Sequence, residues 1–351
     1  MMITTSKVTI QFSNLNDEYK AIYTQSGLFD LFQTGILLLK GERIKDKLQL
    51  LVPTDLNRIG PGESCRTIIL NEEGGIENRI TIHDRGHTNG FSEVILIIND
   101  FCTVAQDSWI WRQLDLKGIL ISDLRKTSLH FALEGPMAKA HLKEITQNTT
   151  VINMAPFSNC VLNLNGIYEG MAAGATILIT RISNLGKDGF EILIRDSEGI
   201  SLWDYFILKG IKPCGLATWD ILRLETYLQV YDFDLDFVTS PFEASLGHLV
   251  HLEMPELFMG RQALEAQIAG HIYYCLVGLI IEGSAIPNRL SFVLQQDVWI
   301  GQIRSGGWSP TLSKAIALAY ISKEVVKTYE YVTVNIWDKM YTARIMKIPF
   351  C

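Results

Sequence analysis

Short runs of alternating apolar and polar residues dominate the chain, broken by fewer stretches with helical spacing. Residues 8–12 predict a strand and residues 18–25 a helix ending near Gly27. Residues 27–41 form an apolar turn running into a strand, with glycine at both ends. Residues 43–51 have helical spacing, which Pro53-Thr54-Asp55 ends. Strands at 64–70 and 76–83, joined by Asn71-Glu72-Glu73-Gly74-Gly75, read as a hairpin. A charged loop at 84–90, a strand at 93–98 and an amphipathic helix at 104–116 complete a small α+β layer. The pattern then restarts, with strands at 118–123, 129–133, 177–180 and 190–194. Helices are expected at 137–145, behind Gly135-Pro136, and at 199–208 and 218–227. A loop-rich stretch to His251 and a helix at 255–268 follow. Evenly spaced strands at 274–282, 289–293, 298–303, 315–321, 331–336 and 341–347 predict a terminal β-barrel.

One position resists this pattern. Glu191 lies inside the apolar strand Phe190-Glu191-Ile192-Leu193-Ile194, where a carboxylate is costly unless something donates hydrogen bonds to it. The donor is either an internal cation or a ligand.

Composition narrows the classes. A chain of 351 residues, 48% apolar and 20% charged, has material for two or three domains with sizeable cores. Its net charge is −7, and its densest cationic stretch, residues 40–47, is mixed in sign, so nucleic acid is not an expected partner. The six cysteines form no CxxC pair and read as free thiols in a reducing compartment. Residues 1–14 lack the layout of a signal peptide, and the longest apolar run, 272–281, is too short to cross a bilayer. The expectation is a soluble, cytoplasmic protein without a membrane partner.

The motifs resemble the folate-binding aminomethyltransferase family typified by the T protein of glycine cleavage. The resemblance rests on Gly27-Leu28-Phe29-Asp30-Leu31, the Asn71–Gly75 turn, Ala132-Leu133-Glu134-Gly135-Pro136, Asp188-Gly189-Phe190-Glu191-Ile192 and Leu222-Arg223-Leu224-Glu225. Further along it rests on Ser240-Pro241-Phe242-Glu243-Ala244, Phe258-Met259-Gly260-Arg261, Val277-Gly278-Leu279, Ser305-Gly306-Gly307-Trp308-Ser309-Pro310-Thr311-Leu312 and Ile348-Pro349-Phe350. It implies an α+β, three-domain cloverleaf with a C-terminal β-barrel domain, and tetrahydrofolate as cofactor. Residues 1–50 and 117–235 would form a folate-binding-type core domain, 51–116 an inserted α+β segment of the second lobe, 236–270 a connecting segment and 271–351 the barrel. Glu191 would accept hydrogen bonds from the pterin N–H edge, for which a carboxylate is the fitting two-point acceptor.

The sequence departs from the T protein where the resemblance places the chemistry. The catalytic aspartate position holds Asn78, followed by Arg79, and neither serves as a carboxylate base. Glu77 is one residue off and points to the other face of a strand. Thr218-Trp219-Asp220 replaces Ala-Arg-Asp, and Asn184-Leu185-Gly186-Lys187 replaces Tyr-Thr-Gly-Glu. The iron–sulfur-assembly branch is disfavoured because Pro255-Glu256-Leu257-Phe258-Met259-Gly260 lacks its cysteine. The dimethylsulfoniopropionate demethylase branch is similar at Asn78, at Ser240-Pro241-Phe242-Glu243 and at Ile300-Gly301-Gln302-Ile303-Arg304-Ser305-Gly306, and departs from this chain at Arg79.

These readings point to a folate-dependent one-carbon transferase moving a methyl group from a small donor. Asn78 and Asp220 are the candidate catalytic residues; Glu191, Asn99, Trp219 and Asn184 are the candidate cofactor contacts. A lipoyl carrier protein is not expected as partner. The rival readings are an enzyme that uses another planar ligand on the same scaffold and a non-catalytic binding or assembly protein. Asp220 is either a helix cap or a site acid, and Trp219 either stacks on a ligand or fills volume. His248 and His251 read as structural rather than as metal ligands, and His83 and His87 as a solvated loop pair.

Overall fold

The structure is a computed structural model that describes residues 9–88, 90–98, 109–115, 118–164, 175–182, 185–186 and 188–350. Two compact units interleave along the chain. The first takes residues 1–47, 57–66 and 80–220, the second 48–56, 67–79 and 221–351.

Seventeen strands are described. The first six are β1 (Gly27–Asp30), β2 (Gly35–Gly41), β3 (Ser64–Leu70), β4 (Ile76–Thr88), β5 (Phe91–Ile98) and β6 (Leu120–Asp123). The next five are β7 (Ser128–Glu134), β8 (Asn159–Leu164), β9 (Ala175–Thr180), β10 (Gly189–Arg195) and β11 (Lys212–Cys214). The last six are β12 (Tyr274–Ile281), β13 (Phe292–Gln295), β14 (Val298–Ser309), β15 (Lys314–Ser322), β16 (Tyr331–Ile336) and β17 (Lys339–Met346). The helices are α1 (Leu15–Thr24), α2 (Ile44–Gln49), α3 (Trp109–Asp115), α4 (Ala138–Thr146), α5 (Thr150–Asn153), α6 (Asp196–Leu208), α7 (Leu216–Glu225), α8 (Arg261–Ala269) and α9 (Lys323–Thr328).

A six-stranded sheet, in the order β11-β1-β7-β10-β9-β8, carries the first unit. Period-2 alternation gives it two different faces. Leu28, Phe131, Leu133, Phe190, Ile192 and Ile194 bury one face against Leu142, Ile145, Trp203 and Phe206 of α4 and α6. The other face carries polar groups and meets the five-stranded sheet β3-β4-β5-β2-β6 where Leu178 and Leu193 pack on Ile36, Ile95 and Ile97. That five-stranded sheet takes β2 and β6 from outside residues 51–116.

The start of α1 is tied to the start of α7 by one carboxylate. Glu18 has no solvent exposure and accepts from the backbone N–H groups of Phe12 (2.7 Å), Ser13 (2.6 Å) and Gly215 (2.9 Å) and from Thr218 Oγ1 (2.7 Å). Four donors on one buried carboxylate offset its desolvation.

In the second unit β12-β15-β14-β13-β16-β17 closes as a barrel around Leu279, Val293, Ile303, Ala317 and Val334. Several of the motifs quoted above are scaffold here. Arg261 donates to the carbonyls of Leu252, Met254 and Glu256, so a single guanidinium closes that loop. Asn71 Nδ2 donates to the Phe237 carbonyl at 2.7 Å while its Oδ1 accepts from Gly75 N at 2.8 Å. A Cβ at Gly75 would run into that same Phe237 carbonyl. Gly75→Ala is therefore expected to lower stability by about 2 kcal/mol or more through backbone overpacking, measured by urea denaturation. An unchanged midpoint would mean that the turn relaxes freely.

Helix α8 begins at Arg261, six residues later than the 255 expected, because Gly260 adopts φ +80° against the Asn71 carbonyl. The expected 84–90 loop is instead largely strand, since β4 runs on to Thr88 and pairs with β5 through a bulge.

Candidate functional site

Register places the key residues. Cys214 pairs with Phe29, Phe29 with Ala132, Ala132 with Glu191, Glu191 with Thr180, and Thr180 with Asn159. Directly opposed residues share a face, so these six form one row across the whole sheet. The row lies on the polar face because Phe190 and Ile192, the neighbours of Glu191, are turned to the helices.

Glu191 is 4% exposed. Its Oε2 faces Nε2 of His130, on β7, at 3.5 Å. His130 is itself 3% exposed, and its Nδ1 lies 2.8 Å from Thr34 Oγ1. The small side chain of Ala132 separates Glu191 from Phe29, and Trp219 meets Phe29 edge-on with ring centroids 5.1 Å apart. Phe29, Asp30, Phe32, Gln33 and Trp219 line a recess at that end of the row. Burial raises the Asp30 carboxyl to about 6, against the opposing pull of the Phe32 N–H and of His130.

At the other end of the row Asn159 Nδ2 donates to Ser64 Oγ at 2.9 Å, and Ser64 Oγ lies 2.8 Å from His83 Nδ1. His83 and His87 are thus both on a strand, which corrects the loop part of that reading; His83 is 2% exposed, whereas His87 is exposed, as expected. The longer β4 is the reason. Burial pushes the His83 imidazole down to about 4, with Glu191 opposing and His130 and Arg85 reinforcing the shift.

A pH dependence of stability follows. Unfolded, His83 takes a proton near its ordinary 6.5; folded, it does so only near 4. The unfolded chain therefore binds more protons across that window, and stability falls as pH drops through it, by about 3 kcal/mol in total. Denaturation at pH 7 and pH 4.5 is expected to show a larger loss for the wild type than for His83→Asn. Equal losses would place the titration elsewhere.

The remaining candidates are distributed as follows. Trp219 is half-buried in the first unit, on the same helix as Asp220. Helix α7 begins at Leu216, so Asp220 sits in its second turn and is exposed, which rules out the capping role. Glu18 serves the start of that helix instead. Asn78 belongs to the second unit, is 4% exposed, and its Oδ1 has no hydrogen-bond partner among the described residues. Asn99 and Asn184 lie outside the described residues. His251 Nδ1 accepts from the Asp55 N–H at 3.0 Å, a structural contact. Sequence reasoning missed His130, although the run Leu129-His130-Phe131-Ala132-Leu133 already set it on the same face as Ala132.

Comparison with known proteins meets this geometry. Residues 6–254 match the family profile described as the GCVT N-terminal domain, and residues 275–351 the glycine cleavage T-protein C-terminal barrel domain. An aminomethyltransferase of Prochlorococcus marinus (strain MIT 9313) is 40% identical over 97% of this chain and 91% of its own length. One from Synechococcus sp. (strain WH7803) is 38% identical over 98% and 92%. The crystal structure of aminomethyltransferase T from Bartonella henselae has the same fold, with a TM-score of 0.81 at 21% identity over 96% of this chain and 89% of that one.

The family matches define a folate-dependent transferase of the aminomethyltransferase type. The chain belongs to the glycine cleavage T-protein family. Tetrahydrofolate is the one-carbon carrier of that family, and the residues present fit it: a buried carboxylate suits a flat N–H donor edge, with a small neighbour in Ala132. No described helix is long and apolar enough to cross a membrane.

Proposed function

We propose that this chain transfers a one-carbon unit, as a methyl group from a small donor, to tetrahydrofolate. The observation that carries this reading is Asn78, buried with an Oδ1 that has no hydrogen-bond partner among the described residues, at the position where the resemblance places a catalytic aspartate. A buried polar atom left without a partner costs about 1–3 kcal/mol, which a ligand donor would recover. An amide orients a ligand but takes no proton at neutral pH, so chemistry that relies on a carboxylate at this position is disfavoured.

In this reading Glu191 accepts the pterin N–H groups, with His130 beside it. Phe29 and Trp219 form an apolar wall at one end of the row. Asn99 and Asn184 are further contacts by resemblance, and Asp220, exposed on α7, would act only on groups at the protein surface. Tetrahydrofolate supplies the nitrogen that receives the carbon unit. The protein's contribution is binding, exclusion of water and alignment, and alignment accounts for most of the rate.

The second reading, transfer of an aminomethyl unit from a lipoyl carrier, is favoured by the names of the relatives at about 40% identity. One assay separates the two. Purified protein and tetrahydrofolate are offered sulfonium and quaternary ammonium methyl donors in one set and an aminomethyl-lipoyl carrier protein in another. 5-Methyltetrahydrofolate from the first set supports methyl transfer; 5,10-methylenetetrahydrofolate from the second alone overturns it. No product and no binding of tetrahydrofolate would favour another planar ligand, and binding without product a non-catalytic folate-binding role.

A further inference from the structure

The strand carrying Glu191 explains why the carboxylate is buried but not what orients it. We propose that His130 is the positioning residue that sets the orientation of the Glu191 carboxylate, and so the affinity for the N–H edge of the ligand; the affinity part rests on the reading of Glu191 as the pterin acceptor.

Glu191 and His130 lie on adjacent antiparallel strands, His130 opposite Leu193, so the imidazole and the carboxylate share a face one pleat apart. Nε2 stands 3.5 Å from Oε2, the distance of an ion pair rather than a short hydrogen bond. The far side of the ring is held, because Nδ1 lies 2.8 Å from Thr34 Oγ1 and that hydroxyl lies 2.9 Å from the Leu31 carbonyl.

The hydroxyl of Thr34 has a single hydrogen, which leaves two arrangements. If the hydrogen goes to His130 Nδ1, the neutral ring carries its own hydrogen on Nε2, facing Glu191. If it goes to the Leu31 carbonyl, Nδ1 must itself be the donor to Thr34. Nε2 then turns a lone pair on the carboxylate, which repels it. The first arrangement is therefore favoured, and in it Glu191 is met by an Nε2–H. Thr34 thus fixes the ring and the ring fixes the carboxylate, as a buried group orients a neighbour that it does not itself replace.

Asp30 and His83 also face this pair. Asp30 on β1 interacts electrostatically with His130. His83 on β4 interacts with both His130 and Glu191 and is held neutral by burial. Loss of His130 would leave Glu191 with the neutral His83 imidazole as the other ring near it.

The test uses the full-length protein in three forms: wild type, His130→Leu, which keeps volume and removes the donor, and His130→Gln, which keeps an N–H near the Nε2 position. Tetrahydrofolate affinity is read by tryptophan fluorescence, folding by circular dichroism and thermal melting. His130→Leu is expected to weaken binding about tenfold while remaining folded, and His130→Gln to stay within about threefold of wild type. A purely packing role for His130 would reverse that order, and His130→Leu binding as wild type does overturns the proposal.

A second readout does not depend on folate. The imidazole nitrogen resonances of His130, followed by NMR of histidine-labelled protein, are expected to shift in Glu191→Gln, because the group facing Nε2 has changed. Unmoved resonances overturn the pairing, whatever the ligand. Should wild type fail to bind tetrahydrofolate, the folate reading falls, and the NMR result still decides whether His130 orients Glu191. It decides equally if His130→Leu does not fold.

Discussion

Replacement of Glu191 by alanine is expected to weaken tetrahydrofolate binding at least about a hundredfold. The carboxylate is 4% exposed and sits on an inward row between Ala132 and Thr180. A ligand that donates two N–H groups to an ionised, desolvated acceptor gains about 1.5–3 kcal/mol from each. Loss of both, at about 1.4 kcal/mol per decade of affinity, corresponds to two or more decades. Glu191→Gln, which keeps the shape and one acceptor, is expected to fall between wild type and Glu191→Ala. Tryptophan fluorescence titration measures all three, and an unchanged dissociation constant in Glu191→Ala would remove this residue from the cofactor site. His130 makes the experiment sharper. If Glu191 were only an internal ion-pair partner, its loss would shift the melting temperature and leave binding alone.

The second large effect concerns stability, in the second unit. Arg223 donates to Asp234 at 2.6 Å and to Ser305 Oγ at 3.2 Å, and Ser305 Oγ in turn donates to Asp234. The side chains of Arg223 and Asp234 are 5% and 0% exposed. Removal of one member of such a pair leaves the other charge buried without its counter-ion, at a cost of about 3–5 kcal/mol. Arg223→Met is expected to lose that amount in urea denaturation. The double variant Arg223→Met/Asp234→Leu is expected to regain much of it, because no charge is then stranded. A loss below about 1 kcal/mol in the single variant would show that water reaches Asp234.

These cases separate two uses of recurring motifs. Leu222-Arg223-Leu224-Glu225 and Ser305–Leu312 are far apart in sequence but close on each other in space. Arg223 reaches Ser305, and Glu225 accepts from Ser309 and from the N–H of Thr311 at 3.3 Å. They hold the barrel to α7. Asp188-Gly189-Phe190-Glu191 is of another kind. Its glycine lets Glu134 approach, Asp188 pairs with Arg181 at 2.9 Å, and Glu191 is delivered to the polar face.

Where sequence and structure agree, the information is local. Alternation through Phe190-Glu191-Ile192-Leu193-Ile194 is enough to set Glu191 opposite the helix-facing residues, since side-chain direction on a strand depends on nothing beyond the period. The same period across six short runs predicts the terminal barrel, and β12 to β17 occupy those runs. The helix expected after Gly135-Pro136 is present as α4, although Pro136 lies just before the Met137 cap rather than in the first turn.

Where they part, the cause lies far away in the chain. No local pattern shows that Glu18 is buried, because one of its four donors, Thr218, lies 200 residues on. Nothing near Asp220 shows that the cap of α7 is supplied from α1, which removes the reason to expect a capping aspartate there. His83 reads as loop because Asp84, Arg85 and Gly86 look like a turn, yet pairing with β5 carries the strand past them. Sequence by itself determined most of the elements, the barrel and a carboxylate inside an apolar strand, since each depends on neighbours within a few residues; the strand expected at 8–12 is absent among the described residues, and β8 and β11 were not expected. Tertiary structure alone decided which histidine faces that carboxylate, which threonine holds the histidine and which charges are buried as pairs. Those outcomes depend on strand register and long-range closure, which local preference does not encode.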